Sequence, residues 1–428
     1  MGARPELFSP ELMQEIRSKF HHTDYCPIVK APRVFFENGG GSLKLKEAIS
    51  ANAEIEALPD QEGRKNPASA YLSEILEAGR EDLHLMFGSA ALGDGRGQVI
   101  SGETGTRLLY RLIRSIAMAA PPGPVISSTL EHPASLDSAQ QWAKNTGREW
   151  IEVPFDPVSG TVSAADYAAA VTPDTRIATV IHTSMLTGFT VDLAAVSKAI
   201  RAVAPDCYIV VDGIQHAPHG TMDVATYGAD AYVFSPYKAF SRLSLGFAWI
   251  NDRIHQVPHE HMLGKSNADW ELGSRDPAFY LAQSKVVDYF CWLGSHFTND
   301  TDRNAAMRAG TGAMERHEAG LIDLLINGDA KTPGLKSFGD VKIIGPLTLK
   351  GREGIVSFNL DGMTSPDLVQ QFAQRGIRVH ARVSDGYSGH ILGALGIDDC
   401  LRVSMCHYNS PDEVRQFLGA LTEIRAAR

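Results

Sequence analysis

Short apolar segments alternate with longer amphipathic segments between about residues 97 and 250 of this 428-residue chain. Several of the apolar segments have no polar position that could face solvent, which is typical of strands in a mostly parallel sheet covered by helices on both faces. The pattern therefore predicts an α/β domain. The predicted strands are QVIS, PVISS, EWIEVPF, RIATVIHTS, CYIVVDG, DAYVFS and GFAWIN, and the clearest helices are GTRLLYRLIRSIAMAA and LAAVSKAIRAVA.

The pattern changes after residue 290. A long helical stretch at about 301–327 is followed by VKIIG, GIVSFNL, a helix at SPDLVQQFAQRG, the segments IRVHAR and LRVSM, and a final helix. This succession is typical of a smaller α+β unit. We therefore predict an N-terminal segment at 1–30, which holds a helix leading into a loop, a large domain at 31–290 and a small C-terminal domain at 291–428.

Composition and charge narrow the class of protein. A net charge of −10 without a basic cluster argues against nucleic acid or an anionic membrane surface as the partner. No apolar run reaches the ~18 residues of a membrane helix, and the N-terminus lacks the apolar core of a signal peptide. Five scattered cysteines without a CxxC pair are typical of a reduced protein. We expect a cytoplasmic protein without disulfides.

Polar and conformationally special residues follow five of the predicted strands. In an open α/β sheet the carboxyl ends of the strands form one edge, and ligands bind beyond that edge. The sequence therefore predicts that these five segments meet at one site. They are SGETGT (101–106), TLEHPAS (129–135), HTSMLTG (182–188), DGIQHAPH (212–219) and SPYK (235–238).

Each feature of this edge has a structural and a chemical interpretation. SGETGT is either an ordinary helix N-cap or an anion site for a phosphate. Asp212 is either solvated at a strand end or paired with a cation. His132 is either structural or able to stack on a flat cofactor, and Lys238 is either solvated or an amine held in a pocket. Pyridoxal 5'-phosphate (PLP) requires this combination: a lysine, an acidic partner for its ring nitrogen and a phosphate site.

Three other motifs fit their usual roles less well. The glycines of GDGRGQV precede their strand, whereas the fingerprint of a nicotinamide-dependent oxidoreductase follows its strand. LGKSN would need a glycine at His259 to form a P-loop. The spacing of His255, His259 and His261 fits no closed zinc site with cysteines or carboxylates, so no metal is predicted.

The motifs occur in a recognisable order along the chain. VVDGIQHAPH is followed, 26 residues after Asp212, by Lys238 in FSPYK. FFENGGGS (35–42) and LRVSMCHYNS (401–410) lie near the two ends. Together with SGETGT and LEHPAS, these segments resemble the class V aminotransferase family, which includes cysteine desulfurases, selenocysteine lyases, isopenicillin-N-epimerase-like enzymes and kynureninase. The resemblance covers about residues 33–425 and implies the PLP-dependent transferase fold type I.

This resemblance implies roles for the residues around the cofactor ring. Lys238 forms the internal aldimine and shuttles protons, Asp212 pairs with the pyridinium nitrogen, and Gln215 contacts the ring oxygen. His132 stacks on the ring and is a second catalytic candidate. Tyr237 stands where desulfurases carry a histidine and kynureninase-like relatives a tyrosine.

A phosphate site and a dimer are also implied by the resemblance. Glu103, Thr104 and Ser235 hold the phosphate. Ser274 in WELGS matches a position that reaches the phosphate of the neighbouring subunit. The protein is therefore expected to be a homodimer with shared active sites.

The resemblance also implies which residues bind the substrate, and these lie in the first and last segments of the motif series. Arg402 is implied to hold the carboxylate of a small amino-acid substrate in a bidentate, charge-assisted pair. Asn38 lies in the segment that resembles the family's substrate-side loop. Met185 stands where relatives often keep an asparagine or serine.

The clearest departure from cysteine desulfurases concerns their catalytic loop. Residues 380–397 read HARVSDGYSGHILGALGI, without a cysteine, and Tyr387 or Ser388 falls near the expected place. A hydroxyl cannot replace a thiolate as the acceptor of sulfur. We therefore predict a PLP-dependent enzyme with lyase-type cleavage at Cβ or of a C–S bond, without a catalytic cysteine. The alternatives are an aminotransferase or epimerase of the same family, and a non-catalytic homologue that binds PLP or an amino acid.

Overall fold

The computed structural model describes residues 5–266 and 268–428. Its N-terminal part places a helix before a short hairpin. Ser9 begins this helix, because its side-chain oxygen accepts a hydrogen bond from the amide of Leu12. The elements of this part are α1 (Pro10–Ser18), β1 (Tyr25–Cys26), β2 (Ala31–Pro32), β3 (Val34–Phe35), α2 (Lys46–Glu56) and α3 (Pro67–Phe87).

A large sheet contains all seven segments that the sequence predicts as its strands. They are β4 (Gln98–Gly102), β5 (Val125–Ser128), β6 (Trp150–Val153), β7 (Ile177–Ile181), β8 (Tyr208–Asp212), β9 (Ala231–Phe234) and β10 (Gly246–Ile250). Their order is β4–β10–β9–β8–β7–β5–β6. Of these strands, β10 runs in the opposite direction to the other six. The mostly parallel sheet is therefore confirmed.

Helices cover both faces of this sheet. In β8, Ile209 and Val211 pack into the hydrophobic core on one face and Val210 packs into the core on the other. Burying such a side chain contributes ~1.5–3 kcal/mol, which explains why these strands carry no polar position. The connecting helices are α4 (Gly105–Ala119), α5 (Pro133–Asn145), α6 (Ala164–Ala170), α7 (Leu193–Val203), α8 (Val224–Tyr227) and α9 (Asp252–His255). Across the described ranges, no helix combines the length and the apolar character needed to cross a membrane.

The C-terminal part has its own antiparallel sheet, as the change of pattern after residue 290 predicts. The helix α10 (Pro277–Gly294) precedes this part and packs in the core of the large sheet through Val286 and Phe290. The elements of the C-terminal part are α11 (Arg303–Asn327), β11 (Val341–Ile344), β12 (Ile355–Leu360), α12 (Ser365–Ala373), β13 (Ile377–Arg378), β14 (His380–Val383), α13 (Gly389–Leu395), β15 (Asp399–Ser404) and α14 (Pro411–Ala426). Four strands pair in the order β11–β12–β15–β14. The predicted α+β character of this part is therefore confirmed.

An N-terminal segment joins the C-terminal core. β3 pairs in parallel with β13, and Val34 and Phe36 pack in the same hydrophobic core as Phe358 and Phe417. Residues 34–36 therefore belong to the C-terminal core by their packing. The domain limits of 1–30, 31–290 and 291–428 remain a proposal.

Glycine allows α10 and α11 to pack closely. A Cβ atom at Gly310 would overlap the carbonyl oxygen of Phe290, whereas one at Gly312 would lie 3.5 Å from the side chain of Arg316. We expect Gly310→Ala to lower the free energy of unfolding by ~1–3 kcal/mol, the usual cost of overpacking. Gly312→Ala, the control on the same helix, should be neutral or should stabilise the protein by up to ~1 kcal/mol. Thermal denaturation tests this, and equal midpoints for the two variants would contradict it.

Candidate active site

The segments that follow the parallel strands meet at one edge of the large sheet, and the C-terminal sheet faces them. The amide of Gly105, after β4, donates a hydrogen bond to Ser235 Oγ, after β9 (3.2 Å). From β15, Arg402 Nη1 donates to the carbonyl oxygen of Met185, after β7 (3.0 Å). The site therefore lies between the two sheets.

Lys238 follows β9 in a tight turn, in which its amide donates to the carbonyl oxygen of Ser235 (3.0 Å). The side chain is buried, and Nζ donates to Gln215 Oε1 (2.9 Å) and to the carbonyl oxygen of Gly39. Burial, assisted by the nearby charge of Arg402, lowers the pKa of Lys238 to about 7. A lysine in this state is partly neutral near pH 7 and can act as a nucleophile or a base.

Asp212 ends β8 and is also buried. Oδ1 accepts a hydrogen bond from the amide of Ile214 (3.0 Å). Oδ2 is buried, and no donor in the described parts of the chain reaches it. Burial raises the pKa of Asp212 to about 6. A buried carboxylate oxygen without a donor fits a protonated ring nitrogen, which would supply both the hydrogen bond and the opposite charge.

A buried hydrogen-bond relay leads away from Lys238. Gln215 Nε2 lies 3.3 Å from His219 Nε2, and His219 Nδ1 lies 2.8 Å from Glu318 Oε2. When Glu318 is ionised, His219 donates through Nδ1 and accepts through Nε2. Burial raises the pKa of Glu318 to about 7, so this arrangement holds above neutral pH. The amide of Gln215 must then donate to His219 and present its oxygen to Lys238. Cys406 lies beside this relay, and the donor atoms of His219, Glu318 and Cys406 lie within 4.8 Å of one another.

The N-terminus of α4 forms the predicted phosphate segment. Thr104 caps the helix, because its side-chain oxygen accepts from the amide of Arg107 (3.0 Å). A Cβ atom at Gly105 would lie 2.5 Å from Ser235 Oγ, so glycine is needed for this close approach. The side chains of Glu103 and Thr104 are exposed at the mouth of the site. The structure thus brings Glu103, Thr104 and Ser235 together at the N-terminus of α4, and the predicted phosphate contacts remain a prediction.

Two predicted cofactor residues lie at the rim. Tyr237 is partly buried, its ring centroid lies 5.7 Å from Lys238 Nζ, and its carbonyl oxygen accepts from Lys44 Nζ (2.8 Å). Ser274 is exposed. Its neighbours Leu272 and Arg275 line a pocket together with Glu103, so its segment lies beside the predicted phosphate segment.

His132 caps α5 at the floor of the site, where its Nδ1 accepts from the amide of Ala134 (3.0 Å). The proton of the neutral ring is therefore on Nε2. Burial, followed by the charge of Lys238, lowers the pKa of His132 to about 3. The ring stays neutral near pH 7, which favours a stacking role over that of a proton acceptor. Its centroid lies 6.0 Å from that of Tyr387.

Asn38 is buried and its amide is fully used within the protein. Nδ2 donates to the carbonyl oxygen of Ser404 (2.9 Å) and to Asn409 Oδ1 (3.1 Å), while Oδ1 accepts from the hydroxyl of Tyr408. These bonds attach residues 38–41 to β15. The predicted contact between Asn38 and a substrate remains a prediction, and this structure assigns the side chain a scaffolding position.

Arg402 is buried beside the glycine segment, where a Cβ atom at Gly39 would lie 3.0 Å from its Cζ. Burial, followed by the charge of Arg382, lowers the pKa of Arg402 to about 10. Its Nε has no partner in the described chain, and Nη1 binds only the carbonyl oxygen of Met185. The guanidinium is therefore available to a carboxylate.

Sequence reasoning missed Arg382, which lies on the neighbouring strand two residues beyond His380, the direct partner of Arg402. The register of β14 and β15 pairs His380 with Arg402 and Arg382 with Cys400. Directly paired side chains share a face, and the face alternates along a strand with period two. The arginines of the segments HAR and CLR therefore lie on one face of the sheet. This could have been predicted from the sequence if the pairing of the two strands had been known.

The loop that lacks a cysteine turns sharply between β14 and α13. Asp385 Oδ1 accepts the amides of Tyr387 (2.8 Å) and Ser388 (2.9 Å). Ser388 is buried, whereas Tyr387 is 59% exposed and lies over the His132 side of the site. His390 Nε2 lies 2.9 Å from the carbonyl oxygen of Glu131, which fastens the loop to the large sheet.

Solved structures of other proteins share this fold. A cysteine desulfurase from Thermococcus onnurineus has a TM-score of 0.81 at 19% identity, covering 99% of this chain and 100% of that one. The cysteine desulfurase CsdA from Escherichia coli has a TM-score of 0.77 at 19% identity, with the same coverage of 99% and 100%. The predicted PLP-dependent transferase fold type I is therefore confirmed.

The family model described as aminotransferase class-V matches residues 35–280 and 304–417, and the chain belongs to this family. The chain is 23% identical over 417 residues to the aminotransferase-like protein FGM3 of Gibberella zeae, covering 96% of this chain and 97% of that protein. It is 25% identical over 374 residues to a probable cysteine desulfurase of Halobacterium salinarum, covering 83% of each. Cysteine desulfurase-like protein ustD of Aspergillus flavus is 24% identical over 445 residues, covering 96% of this chain and 90% of that protein. Members of the family are PLP-dependent, which confirms the predicted cofactor.

The relay predicts how Glu318 affects Lys238. Glu318→Gln allows His219 to change tautomer and Gln215 to turn an N–H towards the amine, which disfavours the ammonium form. The midpoint pH for acetylation of Lys238 in the cofactor-free protein should fall by about 0.5–1, because a hydrogen bond contributes ~0.5–1.5 kcal/mol. Mass spectrometry of the labelled peptide measures this midpoint.

Glu315→Gln is the matched control on the same helix. Glu315 accepts from the amide of Thr221 (2.8 Å) and takes no part in the relay. It should leave the midpoint for Lys238 unchanged. The relay would be refuted if Glu318→Gln titrated like the wild type.

Proposed function

We propose that this chain is a PLP-dependent enzyme that acts on a small amino acid through Lys238, with lyase-type cleavage at Cβ or of a C–S bond. The observation that carries the proposal is that two unusual groups occur in one site. One is the desolvated amine of Lys238, and the other is a carboxylate oxygen of Asp212 that has no hydrogen-bond donor. Lys238 has a pKa of about 7, and Asp212 Oδ2 has no donor among the described residues. Both groups lie at the same edge of the sheet.

The residues at this edge fit PLP. Asp212 would bind the ring nitrogen, His132 would stack on the ring, and the amides at the start of α4 would bind the phosphate with Ser235. When bound, PLP withdraws electrons from the bonds at the substrate Cα. Lys238 would hold the cofactor and move the Cα proton, since burial lowers its pKa to about 7 and so makes the amine available near neutral pH. Arg402 would orient the substrate by its carboxylate.

The proposed cleavage uses no catalytic cysteine. Burial raises the pKa of the thiols of Cys207 and Cys400 to about 12, and it also raises the pKa of Cys291 and Cys406. Cys26 differs, because backbone amides in the hairpin β1–β2 lower its pKa. In the loop at 380–397, Tyr387 would stand over the site and donate a proton to the leaving group.

Aminotransferase and epimerase reactions remain the alternatives within the family, because they use the same lysine and carboxylates. A non-catalytic homologue would bind the cofactor without turnover. Product analysis for pyruvate, ammonia, sulfide and amino transfer, across amino acids and thioether conjugates, separates these functions. We also propose a cytoplasmic homodimer in which Ser274 of each subunit reaches the phosphate site of the other.

Borohydride reduction of the cofactor-loaded protein should attach the cofactor irreversibly to Lys238. Lys44 is the internal control, because burial lowers its pKa to about 8 and its Nζ lies 2.8 Å from the carbonyl oxygen of Tyr237. Peptide mapping should find the adduct on Lys238 in the wild type and in Lys44→Arg, and none in Lys238→Ala. An adduct on Lys44, or none at all, would end the proposal.

Replacement of all five cysteines by serine should preserve turnover of the best substrate to within about a factor of three, because no thiolate takes part in the proposed cleavage. Alkylation of the wild type during turnover should trap no enzyme-bound persulfide. Loss of turnover with Cys26→Ser alone, in a protein that still folds and binds its cofactor, would contradict the prediction. The same loss with Cys400→Ser or Cys406→Ser would contradict it equally.

A further inference from the structure

A buried cluster of three side chains behind Lys238 contains one nitrogen, one oxygen and one sulfur ligand. His219, Glu318 and Cys406 are almost completely removed from solvent, and their donor atoms lie within 4.8 Å of one another. His219 follows β8, Glu318 lies in α11 and Cys406 follows β15. Because these segments are distant in the sequence, no motif spacing could have predicted the cluster.

Glu318 has one carboxylate oxygen without a partner. Oε2 lies 2.8 Å from His219 Nδ1, whereas Oε1 is buried and accepts no hydrogen bond from the described residues. Burial raises the pKa of Glu318 to about 7 and Glu353 adds to this rise, while His219 and the nearby amide of His407 oppose it. A buried carboxylate oxygen that no donor reaches is suited to a cation.

Cys406 places a thiol beside this carboxylate. Burial raises the pKa of the thiol well above its usual value, and Glu318 raises it further, whereas Tyr408 and Lys238 lower it. A divalent cation that replaced the protons of the two acidic groups would leave the cluster neutral, because a thiolate, a carboxylate and a neutral imidazole balance two positive charges. Such a balance avoids the free-energy cost of a buried net charge.

A cavity connects the cluster with solvent. His219 and Glu318 line it, together with Glu315, Glu353, Arg316, Arg352 and Lys350. Neither Lys238 nor Arg402 belongs to this lining. A cation can therefore reach the cluster from the side opposite the substrate, and water from the cavity can complete its coordination.

The chemistry of the three ligands indicates the class of cation. Magnesium and calcium prefer oxygen ligands, whereas a mixture of imidazole nitrogen, carboxylate oxygen and thiolate sulfur suits zinc. The ligands of a tetrahedral zinc ion lie ~3.3–3.8 Å apart, since Zn–N is ~2.0 Å and Zn–S is ~2.3 Å. Side-chain movements of ~1 Å would therefore bring the three donor atoms into this geometry.

We propose that His219, Glu318 and Cys406 form a binding site for a single zinc ion, with water as the fourth ligand, and that zinc reverses the relay to Lys238. Zinc takes the place of the proton on His219 Nδ1, so the remaining ring proton lies on Nε2 and points towards Gln215. Gln215 must then turn its oxygen to His219 and an N–H to Lys238, which disfavours the ammonium form.

The first test measures zinc on the cofactor-loaded protein by equilibrium dialysis against buffered zinc, followed by metal analysis. The wild type should bind a single zinc ion per chain, and Cys406→Ser should bind it more than ~100-fold more weakly, beyond the ~10–100-fold cost of changing an outer-shell partner. Cys400→Ser removes another buried thiol, and His259→Gln removes a ring from the histidine-rich loop. Both controls should bind zinc like the wild type.

The second test needs no variant, so it stands even if a substitution in the cluster prevents folding. X-ray absorption at the zinc edge of the wild type should show a single sulfur neighbour at ~2.3 Å and nitrogen or oxygen neighbours at ~2.0–2.2 Å.

The third test examines the reversal of the relay. Zinc should lower the midpoint pH for acetylation of Lys238 in the cofactor-free protein by about 0.5–1, as predicted for Glu318→Gln. Cys406→Ser should give the same midpoint with and without zinc. The other charged groups that act on Lys238 are unchanged in these samples, and they are Arg402, Arg382 and Asp212.

The outcomes separate this inference from the proposed function. Zinc without a sulfur neighbour, or equal zinc in the wild type and Cys406→Ser, would overturn the site. Bound zinc with an unchanged midpoint for Lys238 would overturn the reversal of the relay. Absence of turnover with every amino acid would end the proposed function and would leave the zinc measurements as they are.

Discussion

Removal of the Lys238 amine from water is the constraint on which the rest of the site depends. The buried ammonium has Gln215 Oε1 and the carbonyl oxygen of Gly39 as its acceptors, and arginines nearby increase the cost of its charge. Its pKa therefore falls to about 7, which makes the amine chemically available near neutral pH. The relay through His219 and Glu318 fixes an acceptor beside the amine and so limits that fall.

Burial of this kind requires two sheets. The large sheet supplies Lys238 and Asp212 from the carboxyl ends of its strands, and the C-terminal sheet closes the site with Arg402. The hydrogen bond from Arg402 Nη1 to the carbonyl oxygen of Met185 connects the two parts, and the glycine segment at 39–41 leaves space for the guanidinium of Arg402. Because no single element carries the site, the site is complete only where the two parts pack together.

The large sheet and the C-terminal sheet contribute groups of different charge to the site. Two buried groups near the proposed cofactor site differ in their electrostatic state. The ring of His132 is neutral near pH 7, and Oδ2 of Asp212 accepts no hydrogen bond from the described residues. The C-terminal sheet adds positive charge through Arg402 and Arg382, and the carboxylates of Glu37 and Asp385 act on these charges from nearby. In the proposed function, the large sheet serves the cofactor, whereas β14, β15 and the loop after β14 determine which side chain is accepted.

The sequence by itself determined the seven strands of the large sheet, the edge where polar segments collect, and the family to which the motifs belong. These follow from local signals, since buried strands are apolar throughout and strand ends carry the chemistry. Only the tertiary structure decided that Glu318 is linked to Gln215 through His219 and that the side-chain amide of Asn38 donates to Ser404 in β15. It also decided that Arg382 faces the site. Those facts depend on contacts between distant segments and on strand register. A shift of one residue in β14 would turn Arg382 to the opposite face, and no local pattern fixes that register.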